Sequence, residues 1–295
     1  MIVVHKAGFV NIIGNPNVGK STLMNNLVGE KLSIVTSKAQ TTRHRIMGIV
    51  NGPEYQIVYS DTPGILKPAY KLQESMMKFV LTALTDADLI LYMTDVVETG
   101  DKNPEIIQKL NSTTTPILVL INKIDLGNQD LVDKLTETWK LLLPKARILP
   151  ISALNKINMD KVLEQIILFL PENPPYFPKD ELTDRTLRFF VSEIIREKIF
   201  LNYQQEIPYS VEVEIEEYQE GEKLDRIRAI IHVARESQKG IIIGNQGKML
   251  KLVGTDARRD MEAFIGKKVF LELFVKVSKD WRDKPGQLKQ FGYIM

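Results

Sequence analysis

Gly14-Asn15-Pro16-Asn17-Val18-Gly19-Lys20-Ser21 fits the spacing G-x-x-x-x-G-K-[ST]. The two glycines let the backbone curl into a nest of N–H donors that cradles phosphates. Lys20 adds a point charge and the Ser21 hydroxyl a Mg²⁺ ligand. The flanks supply the required context: 9–13 is a short apolar strand candidate, and from Ser21 and Thr22 the chain continues as a helix over 21–28. Strand, phosphate loop and helix together predict an α/β nucleotide-binding fold.

Working outward, apolar runs recur at 9–13, 55–60, 89–94, 117–121 and 147–151, separated by helix-length stretches at 71–84, 104–110 and 130–143. Such alternation predicts a mostly parallel sheet with helices on both faces. A local exception is 45–50, joined to 55–60 through Asn51-Gly52-Pro53, a turn that favours an antiparallel hairpin. A helix over 159–170 closes this part. Four prolines fall within 171–178, so we expect a stiff extended connector that continues neither helix nor ladder. The expected division is a nucleotide-binding domain over 1–173, a linker over 174–183 and a second domain over 184–295. Beyond the linker the pattern reads helix (184–202), strand (210–217), strand (226–235), helix, glycine loop, helix (248–265) and strand (268–277), an α-β-β-α-α-β order.

Composition bounds the class. The chain has 295 residues, 44% of them hydrophobic, and no cysteine, so two ordinary cores are expected, and disulfides and thiolate zinc sites are excluded. His5, His44 and His232 are too scattered in sequence to suggest a metal cluster. No apolar run approaches the ~18 residues that cross a bilayer, and 1–6 passes straight into the first strand, so the expected location is cytoplasmic. The net charge of +2 hides an asymmetry: 176–234 carries 8 Lys/Arg against 13 Asp/Glu, and 235–295 carries 13 against 7. A basic C-terminal stretch is a footprint of polyanion binding, and equally of a solvated face.

Asp61-Thr62-Pro63-Gly64 follows the 55–60 run, at the sheet edge where ligands of such folds collect. There Asp61 can hold a Mg²⁺-bound water, and Gly64, lacking a Cβ, can bring its N–H to a γ-phosphate. Asn122-Lys123-Ile124-Asp125 supplies a base reader. An Asp125 carboxylate accepts the adjacent N1–H and N2–H₂ donors of guanine, whereas adenine would leave that charge facing a lone pair. Ser152-Ala153-Leu154 comes where backbone N–H groups meet the guanine O6. The series predicts GTP or GDP with Mg²⁺.

These motifs, with Gln40-Thr41-Thr42-Arg43-His44-Arg45 as a switch element, resemble the Era family of bacterial Ras-like GTPases over nearly the whole chain. The resemblance implies that Thr42 is a Mg²⁺ ligand alongside Ser21 and Asp61; the alternative is that Thr41 and Thr42 simply favour the following strand. Lys20, Thr42 and Gly64 are the residues implied in catalysis. Ile65 stands where many Ras-like enzymes carry a water-orienting glutamine, so slow intrinsic hydrolysis, raised by an RNA or protein partner, is expected. Asn17 sits where potassium-activated relatives help to bind K⁺; it either does so or shapes the loop through a local side-chain hydrogen bond.

Ile241-Ile242-Ile243-Gly244-Asn245-Gln246-Gly247-Lys248 places a G-x-x-G loop before a helix within that α-β-β-α-α-β order, the pattern of an α+β type II KH domain. Its glycines allow close approach to a nucleic-acid backbone, Lys239, Lys248 and Lys251 add charge, and Ile242 and Ile243 either floor a groove for bases or belong in part to the core. Lys279 and Trp281, near Lys276, Arg282 and Lys284, form a candidate single-strand contact, with Trp281 either stacking on a base or packing the domain. Arg43 and Arg45 are read as switch residues that also have the charge to meet RNA.

The family resemblance implies binding to the 3′ end of 16S ribosomal RNA and a role in 30S subunit assembly, as a monomer with no DNA partner. Peripheral association with the inner membrane is left open. The alternative reading is an RNA-binding module whose nucleotide domain is regulatory or inert. A GTPase attached to a tRNA-modifying enzyme would need a catalytic domain whose chemistry is not visible in the chain.

Overall fold

The computed structural model describes residues 4–98 and 103–294. By compactness the chain divides into two units. The first comprises residues up to Ser33, 42–67 and 76–184; the second comprises 34–41, 68–75 and everything from Arg185.

In the first unit, β1 (Lys6–Gly14) leads through the phosphate loop into α1 (Lys20–Val28). Then follow β2 (Ile46–Asn51), β3 (Tyr55–Asp61), α2 (Lys71–Thr85), β4 (Leu89–Asp95), α3 (Pro104–Ser112), β5 (Ile117–Asn122), α4 (Gln129–Leu142), β6 (Arg147–Pro150) and α5 (Met159–Phe169); the first turn of α2 belongs to the second unit. The sheet order is β2-β3-β1-β4-β5-β6. Every pairing is parallel except β2 with β3, the hairpin expected from Asn51-Gly52. β4 and β5 are buried at every position, as a parallel strand covered on both faces must be. Ile13, Val80, Tyr92, Val119 and Trp139 pack one side of this core. The chain runs from β1 to β3 on one side and then crosses to β4 on the other, so the order reverses at the C-terminal end of β1, where such folds form their ligand crevice.

The proline-rich connector runs along this unit. Pro171 accepts from the Ala7 N–H (3.1 Å), Glu172 makes a lone bridge to Lys6, and Leu182 accepts from Ile49 (2.8 Å). Proline removes a donor but keeps its carbonyl, so the stretch borrows the sheet's edge without becoming a strand.

The second unit contains α6 (Leu187–Asn202), α7 (Ile207–Ser210), β7 (Glu212–Gln219), β8 (Leu224–Val233), α8 (Glu236–Ile243), α9 (Lys248–Ile265), β9 (Lys268–Val277) and α10 (Pro285–Gln290). β7 and β8 are antiparallel with a bulge at Ile215/Glu217, and β8 and β9 are parallel, which requires the α8–α9 crossover. Ile227, Ala229 and Ile231 alternate inward from β8 onto Val191, Ile195 and Ile199 of α6 and Val253, Ala257 and Met261 of α9. The short α7 and α10 were not expected from sequence. Among the described residues no helix is long and apolar enough to cross a membrane.

Candidate functional site

Gly14 ends β1 so close to β4 that a Cβ on it would lie 2.1 Å from the Met93 carbonyl oxygen. Gly19 has φ +99°, and a Cβ there would lie 2.4 Å from Asn122 Nδ2. The two glycines thus serve different needs: close approach to a strand for Gly14, and a left-handed turn into α1 for Gly19. Between them Asn17 is exposed at φ 64°, a region asparagine tolerates. Among the described residues its side chain has no hydrogen bond, while its carbonyl accepts from Lys123 Nζ (2.7 Å).

Lys20 is buried, and its ammonium donates to the Gly14 (3.0 Å) and Asn15 (2.8 Å) carbonyls. Burial pulls its pKa down to about 8, against the opposing charges of Asp61 and Glu98. Ser21 donates to Asp61 Oδ2 (2.7 Å), Thr42 Oγ1 lies 2.9 Å from Ser21 Oγ and 3.3 Å from Asp61 Oδ2, and Asp61 Oδ1 is buried without a partner. Burial raises the Asp61 pKa, with Lys20 and the hydroxyls pulling it back. Two hydroxyls and a carboxylate with an unspent oxygen are a hard-oxygen donor set that fits Mg²⁺.

The 61–65 segment closes on the loop. The Ile65 N–H donates to the Gly14 carbonyl (3.1 Å), the Thr62 hydroxyl to Ile12 (2.7 Å), and a Cβ on Gly64 would sit 2.8 Å from Pro16 Cα. Pro63 stands between them. Ile65 itself belongs to the core, so its side chain does no work on a water.

At the base-reading end, Asn122 is a keystone. Its Nδ2 donates to the Val18 carbonyl (2.8 Å) and its Oδ1 accepts from the Ala153 N–H (2.8 Å), tying the phosphate loop to the 152–154 turn. Lys123, at φ 62°, pairs with Asp95 (2.5 Å), and Asp125 is exposed on the following turn. The expectation for 152–154 needs correction. The Ala153 N–H is taken by Asn122 and the Ser152 N–H by the Ile157 carbonyl (3.3 Å), so both donors are engaged within the protein.

In the second unit the G-x-x-G loop joins α8 to α9 with Gly244 (φ 71°), Gln246 (φ 49°) and Gly247 (φ 73°) all left-handed. Asn245, Gln246, Lys248, Lys251 and Lys279 are exposed, and Lys239 and Ile243 are half-buried. Beside the loop, a groove of about 460 Å³ is lined by Gly247, Leu250, Lys251, Gly254, Thr255, Arg258, Leu271 and Leu273. A Cβ on Gly254 would come to 3.3 Å from Leu273, so that glycine keeps the groove open. Most of this lining was missed from sequence, although 247, 250, 251, 254, 255 and 258 make one stripe at helical spacing.

For two candidate RNA contacts the structure shows the packing alternative and removes the contact with RNA. Ile242 is fully buried in the core, with its carbonyl accepting from the Tyr203 hydroxyl (2.6 Å), because the helical turn of α8 points Ile241 outward instead. Trp281 is also fully buried. Its indole N–H donates to the Ser210 carbonyl (2.9 Å) and its ring meets Phe291 edge-on at 5.6 Å, so it has no free face for a base. Arg45 is likewise engaged, by Asp86 (2.5 Å), Asn11 and Ser60, and Arg43 is buried.

Residues 9–123 match the family described as 50S ribosome-binding GTPase, and residues 206–282 match the KH domain. The chain is 44% identical over 292 residues to the GTPase Era of Staphylococcus haemolyticus, covering 98% of each, and equally similar to that of Staphylococcus epidermidis. Among solved structures it resembles Era in complex with MgGDPNP and nucleotides 1506–1542 of 16S ribosomal RNA, at 42% identity and TM-score 0.95 over 99% of this chain and 100% of that one. It is as similar, at 42% identity and TM-score 0.95 over 98% of this chain and all of the other, to a variant of Aquifex aeolicus Era bound to GDP and aluminium fluoride.

Proposed function

The chain belongs to the Era family of GTPases, and from that membership we propose that its nucleotide state governs how firmly its KH domain holds the 3′ end of 16S ribosomal RNA. The observation that carries the GTP half is the meeting of Ser21 and Thr42 on Asp61 Oδ2, with the second carboxylate oxygen, Oδ1, buried and unspent beside them. That of the RNA half is an open groove between α9 and β9 beside three left-handed loop residues.

In this reading residues up to 173 form the GTP-binding domain, 174–183 the connector and 184 onward the RNA-binding domain. The backbone N–H groups of 14–22, Pro16 excepted, surround the phosphates, and Lys20 exchanges its two carbonyl acceptors for phosphate oxygens. Mg²⁺, held by Ser21, Thr42 and Asp61, supplies neutralisation of the phosphate charge. Gly64 brings its N–H to the γ-phosphate, and Asp125 accepts from guanine. Phosphoryl transfer asks chiefly for positioning and charge stabilisation, so the chain hydrolyses GTP slowly with no protein general base. The exposed Asn17 side chain is free to help hold K⁺ there.

On the RNA side, Gly244 and Gly247 let the chain's backbone approach phosphates at the start of α9. Lys248, Lys251 and Arg258 add charge, and Leu250, Leu271 and Leu273 line the space for bases. We place the protein in the cytoplasm, as a monomer acting in 30S assembly. Crosslinking the GTP-loaded chain to total RNA and sequencing the attached fragments tests this reading: enrichment of the 16S 3′ terminus supports it, and an unselective spread over all RNA refutes it.

A further inference from the structure

In the second unit α6 and α9 pack on one face of the three-stranded sheet. Along β8, Ile227, Ala229 and Ile231 point into that core, and Leu224, Arg226, Arg228 and Ile230 point the other way. β9 alternates likewise, with Val269, Leu271 and Leu273 inward and Lys268, Phe270, Glu272, Phe274 and Lys276 outward. One end of the outward face is closed by the C-terminal segment, where the Phe291 ring lies 5.0 Å from that of His232 and Gln290 donates to Glu214 (2.8 Å). Farther along, Phe270 is 45% and Phe274 49% exposed.

Each of these rings carries a guanidinium from the neighbouring strand. Arg226 lies 5.4 Å from the centroid of Phe270, its register partner, and Arg228 lies 5.7 Å from that of Phe274. Arg228 is shared with Glu272 (3.4 Å) and Glu217 (4.0 Å), whereas Arg226 has no carboxylate partner among the described residues. On the outward rows of β8 and β9, Arg226, Arg228, Lys268 and Lys276 stand against a single carboxylate, Glu272. The acids Glu214 and Glu217 lie on β7, at the opposite edge of the sheet from β9. The face is therefore positive toward the β9 edge, and Arg226 calls for an anion that the fold does not supply. Every base offers a π-face, so rings and guanidinium planes set among cations suit an unpaired strand, with bases on the rings and phosphates on the cations. Phe270 and Phe274 are four residues apart, about 13 Å at about 3.3 Å per residue, a spacing for two bases with another between them.

We propose that the outward face of β8 and β9 is a second RNA-binding surface of this domain, a stacking platform for single-stranded RNA separate from the groove between α9 and β9. Phe270 and Phe274 receive bases, and Arg226, Lys268 and Lys276 meet phosphates. A base entering over Phe270 takes the place of the Arg226 guanidinium, which turns to the adjoining phosphate. β9 is the edge strand, and Leu271 and Leu273 on its other side line the groove, so one RNA can pass from groove to platform over that edge. The proposal goes beyond the groove reading and stands without it.

The test measures the affinity of the full chain for an unstructured oligouridylate of about 12 nucleotides at several salt concentrations. The variants are Phe270→Leu, Phe274→Leu, Phe270→Trp and Arg226→Gln, with Arg258→Ala for the groove, each shown to be folded by its denaturant midpoint. Each Phe→Leu change is expected to weaken binding about tenfold, while Phe270→Trp binds at least as tightly as the unsubstituted chain. Arg226→Gln should lower the slope of log K against log salt by about 0.7. A loss with Arg258→Ala and none with the Phe270, Phe274 and Arg226 variants overturns the platform and leaves the groove. A loss with the platform variants and none with Arg258→Ala keeps the platform and removes the groove. Failure of the unsubstituted chain to bind oligouridylate also overturns the platform, because stacking does not choose among bases. So does self-association that Phe270→Leu abolishes at unchanged RNA affinity, which would give the face to a second copy of the chain.

Discussion

Replacing Asn122 with alanine removes a side chain that is only 3% exposed and satisfies two groups at once, the Val18 carbonyl and the Ala153 N–H, each at 2.8 Å. Neither group has room to find water, since Val18 is 2% and Ala153 0% exposed. An orphaned buried polar group costs about 1–3 kcal/mol, so the pair sets a scale of about 2–6 kcal/mol. The chain can recover part of this by letting the phosphate loop and the 152–154 turn move apart, which transfers the loss to nucleotide binding. We therefore expect the variant to lose about 3 kcal/mol in stability and nucleotide affinity combined, and about 100-fold in GDP affinity if most of it falls on binding. Equilibrium titration with a fluorescent GDP analogue and urea unfolding of the nucleotide-free chain together measure both parts. Asn122→Ala retaining both within about 0.5 kcal/mol would refute the keystone argument, because such groups cannot be orphaned at no cost.

Lys20 in the nucleotide-free fold has a pKa of about 8 against an ordinary 10.5, so between those values the folded chain binds fewer protons than the unfolded one. Its stability should climb with pH through that window at up to about 1.4 kcal/mol per pH unit, while GTP affinity falls because phosphates favour the charged amine; stability and affinity that both stay flat from pH 7.5 to 9.5 would contradict this. Trp281→Phe should cost about 2–4 kcal/mol by leaving the Ser210 carbonyl unpaired and a void behind, with RNA affinity of the folded molecules unchanged. Weaker RNA binding at wild-type stability would restore the stacking role. Arg258→Ala should weaken RNA binding and reduce the slope of log K against log salt by about 0.7, and an unaltered slope would remove Arg258 from the RNA path.

Much of the first unit was legible because its signals are local. The phosphate loop, the Asn51-Gly52 hairpin and the alternation of apolar runs with helices each depend on neighbours in the chain, and β1 to α5 appear within a few residues of where the pattern puts them. What was misread depends on direction or on distance. The run 241–243 is uniformly apolar, so no periodicity tells that Ile242 faces the core and Ile241 the solvent. Trp281 has basic neighbours in sequence, but its partners, Ser210 and Phe291, are set by the tertiary fold. The Ser152-Ala153-Leu154 turn follows the last strand as expected, yet the Ala153 N–H is taken by Asn122, 31 residues away.

The proposed switch depends most on coupling between nucleotide and RNA binding. Its direct measurement is the affinity of the full chain for an RNA of the 16S 3′-terminal sequence, at one salt concentration, with the protein saturated first with a non-hydrolysable GTP analogue and Mg²⁺ and then with GDP. We expect at least about tenfold tighter binding in the GTP state, about 1.4 kcal/mol of coupling. Equal affinity in the two states would contradict the account, because a nucleotide that does not distinguish two RNA-binding states cannot shift between them.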